Sequence, residues 1–112
     1  VTEWGVRAAG DPERMVQRVA VSSGAGDSHL AAAKALGADV FVTSDMRHHP
    51  VDEALRDGGP AIIDTAHWAS EFPWCEQAAE LVAREASVEV EVLNIRTDPW
   101  TISAHPTHTE ST

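Results

Sequence analysis

A single cysteine in 112 residues excludes an internal disulfide framework and agrees with a reducing compartment. Cys75 reads as a small buried hydrophobe on a helix. Basic residues are also scarce. Eight Lys and Arg against 18 Asp and Glu leave a formal net charge of −10, which removes the cationic footprint that nucleic acid or an anionic membrane would need. Cations, or a protein with a basic face, are better matched partners. No apolar run approaches the about eighteen residues of a membrane span, and Val1-Thr-Glu-Trp-Gly5 has neither the basic nor the apolar region of a signal peptide. A cytoplasmic location is expected, with no nucleic acid and no membrane among the partners. There is no initiating Met, no internal repeat and no low-complexity segment. The missing Met fits a fragment, a processed chain or an unusual start codon.

What is present suits a folded domain. A hydrophobic fraction of 43% with 23% charged residues argues against disorder over most of the length, and the length suits one α/β domain over 1–112. From Val1 to Arg18, Gly5, Gly10 and Asp11-Pro12 break any long element, and Val6-Arg7-Ala8 is at best a short edge strand. Arg18-Val-Ala-Val21, the glycine-rich turn through Ser28 and the apolar-spaced Leu30 to Leu36 read as strand, turn and helix. Asp27 or Ser28 is placed to cap that helix and Gly37 to end it.

Ala38 to Val42 is the next strand, of the kind covered on both faces. Thr43 to His49 reads as a polar loop, with Pro50 in the first turn of a helix that Gly58-Gly59 ends. Pro60 to Ile63 is a third buried strand. A longer helix from about Trp74 to Ala86 carries Trp74, Ala78, Leu81 and Val82 on one stripe and is expected to dock on the sheet. Ser87 to Val92 alternates strictly, as a half-exposed strand near an edge would. Asp98-Pro99 makes a turn, Trp100 to Ile102 suggests a last short strand, and His105 to Thr112 reads as a flexible tail. This order predicts a layered α/β fold with a largely parallel sheet and right-handed crossovers. Ligands of such sheets gather outside the carboxyl ends of the strands, which here release the segments 22–28, 43–50 and 64–72.

The strongest chemistry lies in Asp64-Thr-Ala-His-Trp-Ala-Ser-Glu71. A helix beginning near His67 puts that imidazole and the Glu71 carboxylate on one face, within reach of a common ion. Asp64 is close enough to orient the imidazole. Asp45, His48 and His49 share a neighbouring segment, and imidazole with carboxylate suits Zn, Mn, Fe or Ni; the bland alternative is a solvated loop with Asp45 capping. If the two segments converge, a bound metal could activate water for hydrolysis. The turn Gly24-Ala-Gly-Asp27 is a weaker phosphate-binding candidate, lacking the Lys-Ser/Thr of a P-loop and the three glycines of a dinucleotide fingerprint. Trp68 and Trp74 read as core or interface anchors, and no serine stands in a nucleophile motif.

Together Gly24-Ala-Gly-Asp-Ser28, Val42-Thr-Ser-Asp-Met-Arg-His-His-Pro50, Asp64 to Glu71 and Asp98-Pro-Trp-Thr101 resemble the C-terminal half of the Nif-three-like family, toroidal hexamers with a dinuclear metal site that are often labelled GTP cyclohydrolase 1 type 2 homologues. The resemblance implies that His67 and Glu71 are metal ligands, in a motif that usually reads Gly-His-x-x-x-Glu and here has Ala66 before the histidine. It implies a pocket lined by the Asp45 to His49 segment, with Ser44 and Asp45 replacing the family's glycine and glutamate. The family's remaining ligands, a His-His pair and an aspartate, come from an N-terminal half that this chain lacks, and His48-His49 is not that pair. The expectation is therefore a half-length chain with one half of a dinuclear site for Zn, Fe, Mn or Ni. It would be a homo-oligomer, hexameric in the family, and inactive as a metal-dependent hydrolase without the N-terminal lobe. The alternative is a non-catalytic, oligomeric interaction module.

Overall fold

The structure, a computed structural model, describes residues 5–104. Its elements follow in chain order: β1 (Val6–Ala9), β2 (Val19–Ala25), a single 3-10 turn (Asp27–His29), α1 (Leu30–Ala35), β3 (Val40–Ser44), α2 (His48–Arg56), β4 (Ala61–Thr65), α3 (His67–Glu71) and α4 (Trp74–Ala86). The four strands form one sheet in the order β1-β4-β3-β2. β2, β3 and β4 are parallel, and β1 closes the far edge antiparallel to β4. A mixed α/β fold with a mostly parallel sheet is what the sequence predicts, and the short strand at Val6 does sit on an edge. No helix among the described residues is long and apolar enough to cross a membrane.

The strand register sorts the side chains. Ala20, Phe41 and Ile62 are paired neighbours and point to the face covered by α1 and α2. Phe41 is only 2% exposed and packs with Ala33 and Ala38, while Ile62 lines a cavity together with Val51 and Leu55 of α2. Burying each of these two large side chains stabilises the fold by about 2 to 3 kcal/mol. Beside Ala20 and Phe41 on their strands lie Val21, Val42 and Ile63, which point the other way. That second face is open along the edge strand β2, where Val21 is 76% exposed, while Val40 on the neighbouring β3 is buried. Asp39 pins the entry to β2 by accepting N–H bonds from Gln17 and Arg18 at 2.9 Å, which hold its carboxyl below the ordinary value.

Several local expectations are corrected. Neither Asp27 nor Ser28 caps α1, which has no side-chain cap; the Asp27 carboxylate pairs with Arg47 at 2.6 Å instead. α2 starts two residues before Pro50, so His48 and His49 belong to a helical turn rather than to a loop. α4 has the predicted bounds, but none of its residues is buried, and Trp74 and Cys75 are exposed. Its stripe does not dock into the sheet. Val92 and Leu93 lie beside Ala78 and Val82 instead. Residues 88–92 and 100–102 form no strand. A strand requires a neighbour to take its N–H and C=O groups, and none of the four strands pairs with these segments. The turn at Asp98-Pro99 does form, with the Trp100 N–H donated to the Asp98 carboxylate at 3.1 Å. The tail from 105 lies outside the described residues.

Gly37 and Gly58 sit at positive φ, as their places at helix ends require. Gly26 is a glycine for another reason. Its φ is −91°, but a Cβ there would lie 2.3 Å from Thr43 Oγ1 and 2.8 Å from Thr43 Cβ, and Thr43 is buried and branched. Gly26→Ala is expected to destabilise the protein by about 2 kcal/mol through overpacking. Gly58→Ala, with open space around it but φ +73°, should cost about 1 kcal/mol through backbone strain alone. Urea midpoints of the two variants against the parent check both values, and a smaller loss for Gly26→Ala than for Gly58→Ala would refute the ranking.

Candidate functional site

Parallel pairing of β3 with β4 brings two carboxyl ends together in a fixed register, with Ser44 opposite Thr65. The chain leaves β3 at Asp45 and enters α3 two residues after β4 ends, so Asp45 and His67 emerge side by side. Under them lies a layer of hydroxyls. Ser44 Oγ is 2.9 Å from Thr65 Oγ1 and 3.2 Å from Ser70 Oγ, Thr65 donates to the Thr43 carbonyl, and Ser70 donates to the His67 carbonyl. Ser44 and Thr43 are almost completely buried, which makes this layer a rigid floor and ties α3 to both strand ends. The sequence gives no signal for it beyond three small hydroxyl residues near strand termini.

The His67 ring stands between two carboxylates. Nδ1 is 2.6 Å from Asp45 Oδ2, and Nε2 is 3.1 Å from Glu71 Oε1. The second contact is the expected i,i+4 pair, since α3 begins at His67 and ends at Glu71. Gly24, at φ +64°, faces the same spot: a Cβ on it would lie 3.6 Å from Glu71 Oε1 and 3.8 Å from His67 Cε1. The end of β2 thus borders the pair without covering it. The sequence places Gly24 in a turn that is a weak phosphate-binding candidate and gives no sign of its closeness to His67 and Glu71.

Of the other candidate residues, Asp45 is brought to His67 and the rest are not. Asp64 is nearly buried and accepts from Arg7 at 2.6 and 2.8 Å and, at 3.3 Å, from the Met46 N–H. It has no contact with the imidazole; Asp45 holds the place expected for it. Arg7 also donates to the Met46 carbonyl at 2.7 Å, so Arg7 and Asp64 together clamp the segment that carries Asp45. His48 lines a cavity of about 290 Å³ between β1 and α2, together with Arg7, Ala9, Val51 and Leu55. His49 is exposed and stands edge-on to His48 with ring centroids 5.3 Å apart. In the glycine turn, the Gly26 N–H is given to Ser44 O and the Asp27 carboxylate is close by, so it offers no open cradle for an anion.

Trp68 stacks on Phe72 at 4.6 Å, and the Arg96 guanidinium lies 5.4 Å from its ring centroid. The segment after α4 is thereby anchored on the helix that bears His67 and Glu71, and Arg96 also pairs with the buried Asp98 at 3.3 Å.

Two donors bound to one zinc at about 2.0 to 2.2 Å lie roughly 3 to 3.5 Å apart, and the Nε2 to Oε1 distance of 3.1 Å falls in that range. One imidazole with one carboxylate suits Zn, Mn, Fe or Ni. Asp45 is engaged at the other ring nitrogen, and among the described residues no group of three or more His, Cys, Asp or Glu side chains could hold a metal ion. The residues here fit two positions of a coordination shell.

A family model described as Duf34/NIF3 (NGG1p interacting factor 3) matches residues 1–99. The chain belongs to the Duf34/NIF3 family. This NIF3 chain is 56% identical over 103 residues to a GTP cyclohydrolase 1 type 2 homolog of Mycobacterium tuberculosis, covering 90% of itself and 27% of that protein. It is 47% identical over 113 residues to a protein of the same description from Streptomyces coelicolor, covering 95% of itself and 40% of that protein. Among solved structures it resembles Staphylococcus aureus protein SA1388 with a TM-score of 0.74 and a Bacillus cereus protein related to NIF3 with 0.70, each at 32% identity and over 88% of this chain. The NIF3 chain spans about a quarter of the length of the mycobacterial relative.

The two carboxylates also set how stability follows pH. The hydrogen bond to Asp45 raises the His67 pKa above its ordinary 6.5 against the opposing effect of burial, and the Glu71 charge adds to the rise. A raised value in the folded state means that the stabilisation is fully present below pH 6.5, as long as the carboxylates stay ionised, and is lost as pH rises through the folded-state value. With chelator present, the melting temperature of the parent should exceed that of His67→Gln most in mildly acidic buffer, and the gap should narrow toward alkaline pH. A gap that widens with pH would contradict the arrangement.

Proposed function

We propose that this NIF3 chain supplies His67 and Glu71 as ligands to a divalent metal ion, Zn, Fe, Mn or Ni, as one half of a dinuclear site. The observation that carries the reading is the 3.1 Å approach of Nε2 and Oε1 on one face of α3, at the carboxyl end of a parallel sheet. A net charge of −10 favours a cationic partner. A metal bound there would supply Lewis-acid activation of water, the chemistry of a metal-dependent hydrolase, in keeping with the cyclohydrolase description carried by the relatives. Within this chain, the hydroxyl floor holds the helix that bears the donors, the Arg7–Asp64 clamp holds the segment of Asp45 beside them, and the glycine at 24 keeps the adjoining space free of a side chain. Two donors are fewer than the four protein ligands of a closed zinc site and the three of a catalytic one. The chain alone is accordingly a weak binder and an incomplete catalyst, and the intact site takes its other ligands from an N-terminal lobe.

Metal content of the purified chain, then of His67→Ala and Glu71→Ala, tests the assignment. The parent should take up zinc with measurable though weak affinity, and each variant should lose uptake while retaining its circular dichroism spectrum. Uptake equal to the parent in both variants would remove the site.

A second reading, an oligomeric interaction module, is favoured by a separate observation. Val19 and Val21 are exposed on the open sheet face, as are Trp74, Leu81 and Val82 on α4, and apolar surface of this kind favours self-association. Sedimentation equilibrium should report a homo-oligomer that dissociates when Val21 and Leu81 are both replaced by Glu. A monomer at all accessible concentrations would dismiss it, whereas a metal-free chain that stays folded and oligomeric would put this reading first.

A further inference from the structure

We infer that Asp45 is the positioning residue of this site: it holds His67 by Nδ1 and so leaves Nε2 presented as a lone pair beside Glu71. The inference rests on the metal-ligand reading above, but its first support is independent of metal. A neutral imidazole carries one N–H and one acceptor nitrogen. Two carboxylates compete for that N–H, Asp45 at 2.6 Å and Glu71 at 3.1 Å, and the shorter contact is the stronger hydrogen bond. The proton therefore belongs on Nδ1. Metal-ligating histidines are commonly fixed this way, with the second nitrogen donating to a carboxylate.

The backbone at Asp45 points the same way. Its φ is +52°, a left-handed conformation uncommon in residues other than glycine and tolerated best by Asn and Asp. The residues around it hold it there. Ser44 is locked in the hydroxyl floor, Met46 is gripped through its N–H by Asp64 and through its carbonyl by Arg7, and Arg47 is paired with Asp27. Strain that is kept by its surroundings and aims a side chain at a candidate ligand 22 positions away has the pattern of a functional constraint. Glycine would relieve the strain but could not hold the ring, and so the two effects can be separated.

The experiment compares the parent with Asp45→Gly and Asp45→Asn. In metal-free protein with nitrogen-15-labelled histidine, under alkaline conditions where the ring is neutral, the ring-nitrogen shifts of His67 are read after assignment by difference from His67→Gln. The parent should carry its proton on Nδ1. Asp45→Gly should keep the parent's circular dichroism spectrum, should move the proton to Nε2 facing Glu71, and should weaken binding of zinc alone by roughly 10- to 100-fold in calorimetry. Asp45→Asn, which tolerates the left-handed conformation and still accepts from Nδ1, should keep the tautomer with a smaller loss of affinity. A parent with its proton on Nε2, or an Asp45→Gly variant with an unchanged tautomer, would overturn the inference. A tautomer shift without loss of zinc affinity would overturn the role of Asp45 toward the metal. If zinc binding survives His67→Ala, the metal-ligand reading fails by itself, and the metal-free spectra still decide whether Asp45 holds the ring.

Discussion

The register of β3 against β4 is the constraint on which the site depends. Because Ser44 pairs with Thr65, the residue after one strand and the residue two beyond the other emerge at the same height. A slip of one residue would turn every side chain of a strand to the opposite face and would send Ser44 away from both Thr65 and Ser70. The buried hydroxyls there act as a lock on this alignment, since each depends on its neighbours for a partner and a buried polar group left without one costs about 1 to 3 kcal/mol. The approach of Asp45 to His67 is thus set by sheet pairing, and that of Glu71 by helix periodicity.

The two origins explain why one part of the site was legible in the sequence and another was not. His67 and Glu71 are related by four residues of one short helix, a local spacing that can be read from the chain. The sequence offers Asp64, near His67 in the chain, as the support for the imidazole, and Asp45 only as a pocket-lining or capping residue of its own segment. Which of them reaches the ring is decided by the alternation of strand faces and by Arg7, which stands directly across from Asp64 on the neighbouring strand β1 and takes it for itself. No local pattern encodes that. The close approach of Gly26 to Thr43 and the position of Gly24 beside Glu71 are also contacts between strands, invisible in a glycine-rich turn read alone.

The fold was legible where hydrophobic runs and breakers agree, in the three parallel strands, the helix ends at Gly37 and Gly58, and the bounds of α4. It was misread where a local pattern needs a distant partner. Val88, Val90 and Val92 alternate with Glu89 and Glu91 as strand residues do, but alternation describes a surface with one buried side and does not supply the ladder that makes a strand. Cys75 and the stripe on α4 failed similarly: an apolar face predicts that something covers it without identifying the cover.

The same reasoning bears on how this chain is stabilised. Its radius of gyration is 17.2 Å, against roughly 13 Å for a compact domain of about this size. Excess extension means that apolar groups which a compact chain would bury remain in water, and Val21, Trp74 and Ile102 are examples. Each large side chain left exposed forgoes about 1.5 to 3 kcal/mol, a sizeable share of the 5 to 15 kcal/mol by which a typical domain is stable. The open sheet face and α4 are thus where stability is forgone, whereas the site at the carboxyl ends of β3 and β4 is held by hydroxyls and ion pairs that this chain provides itself.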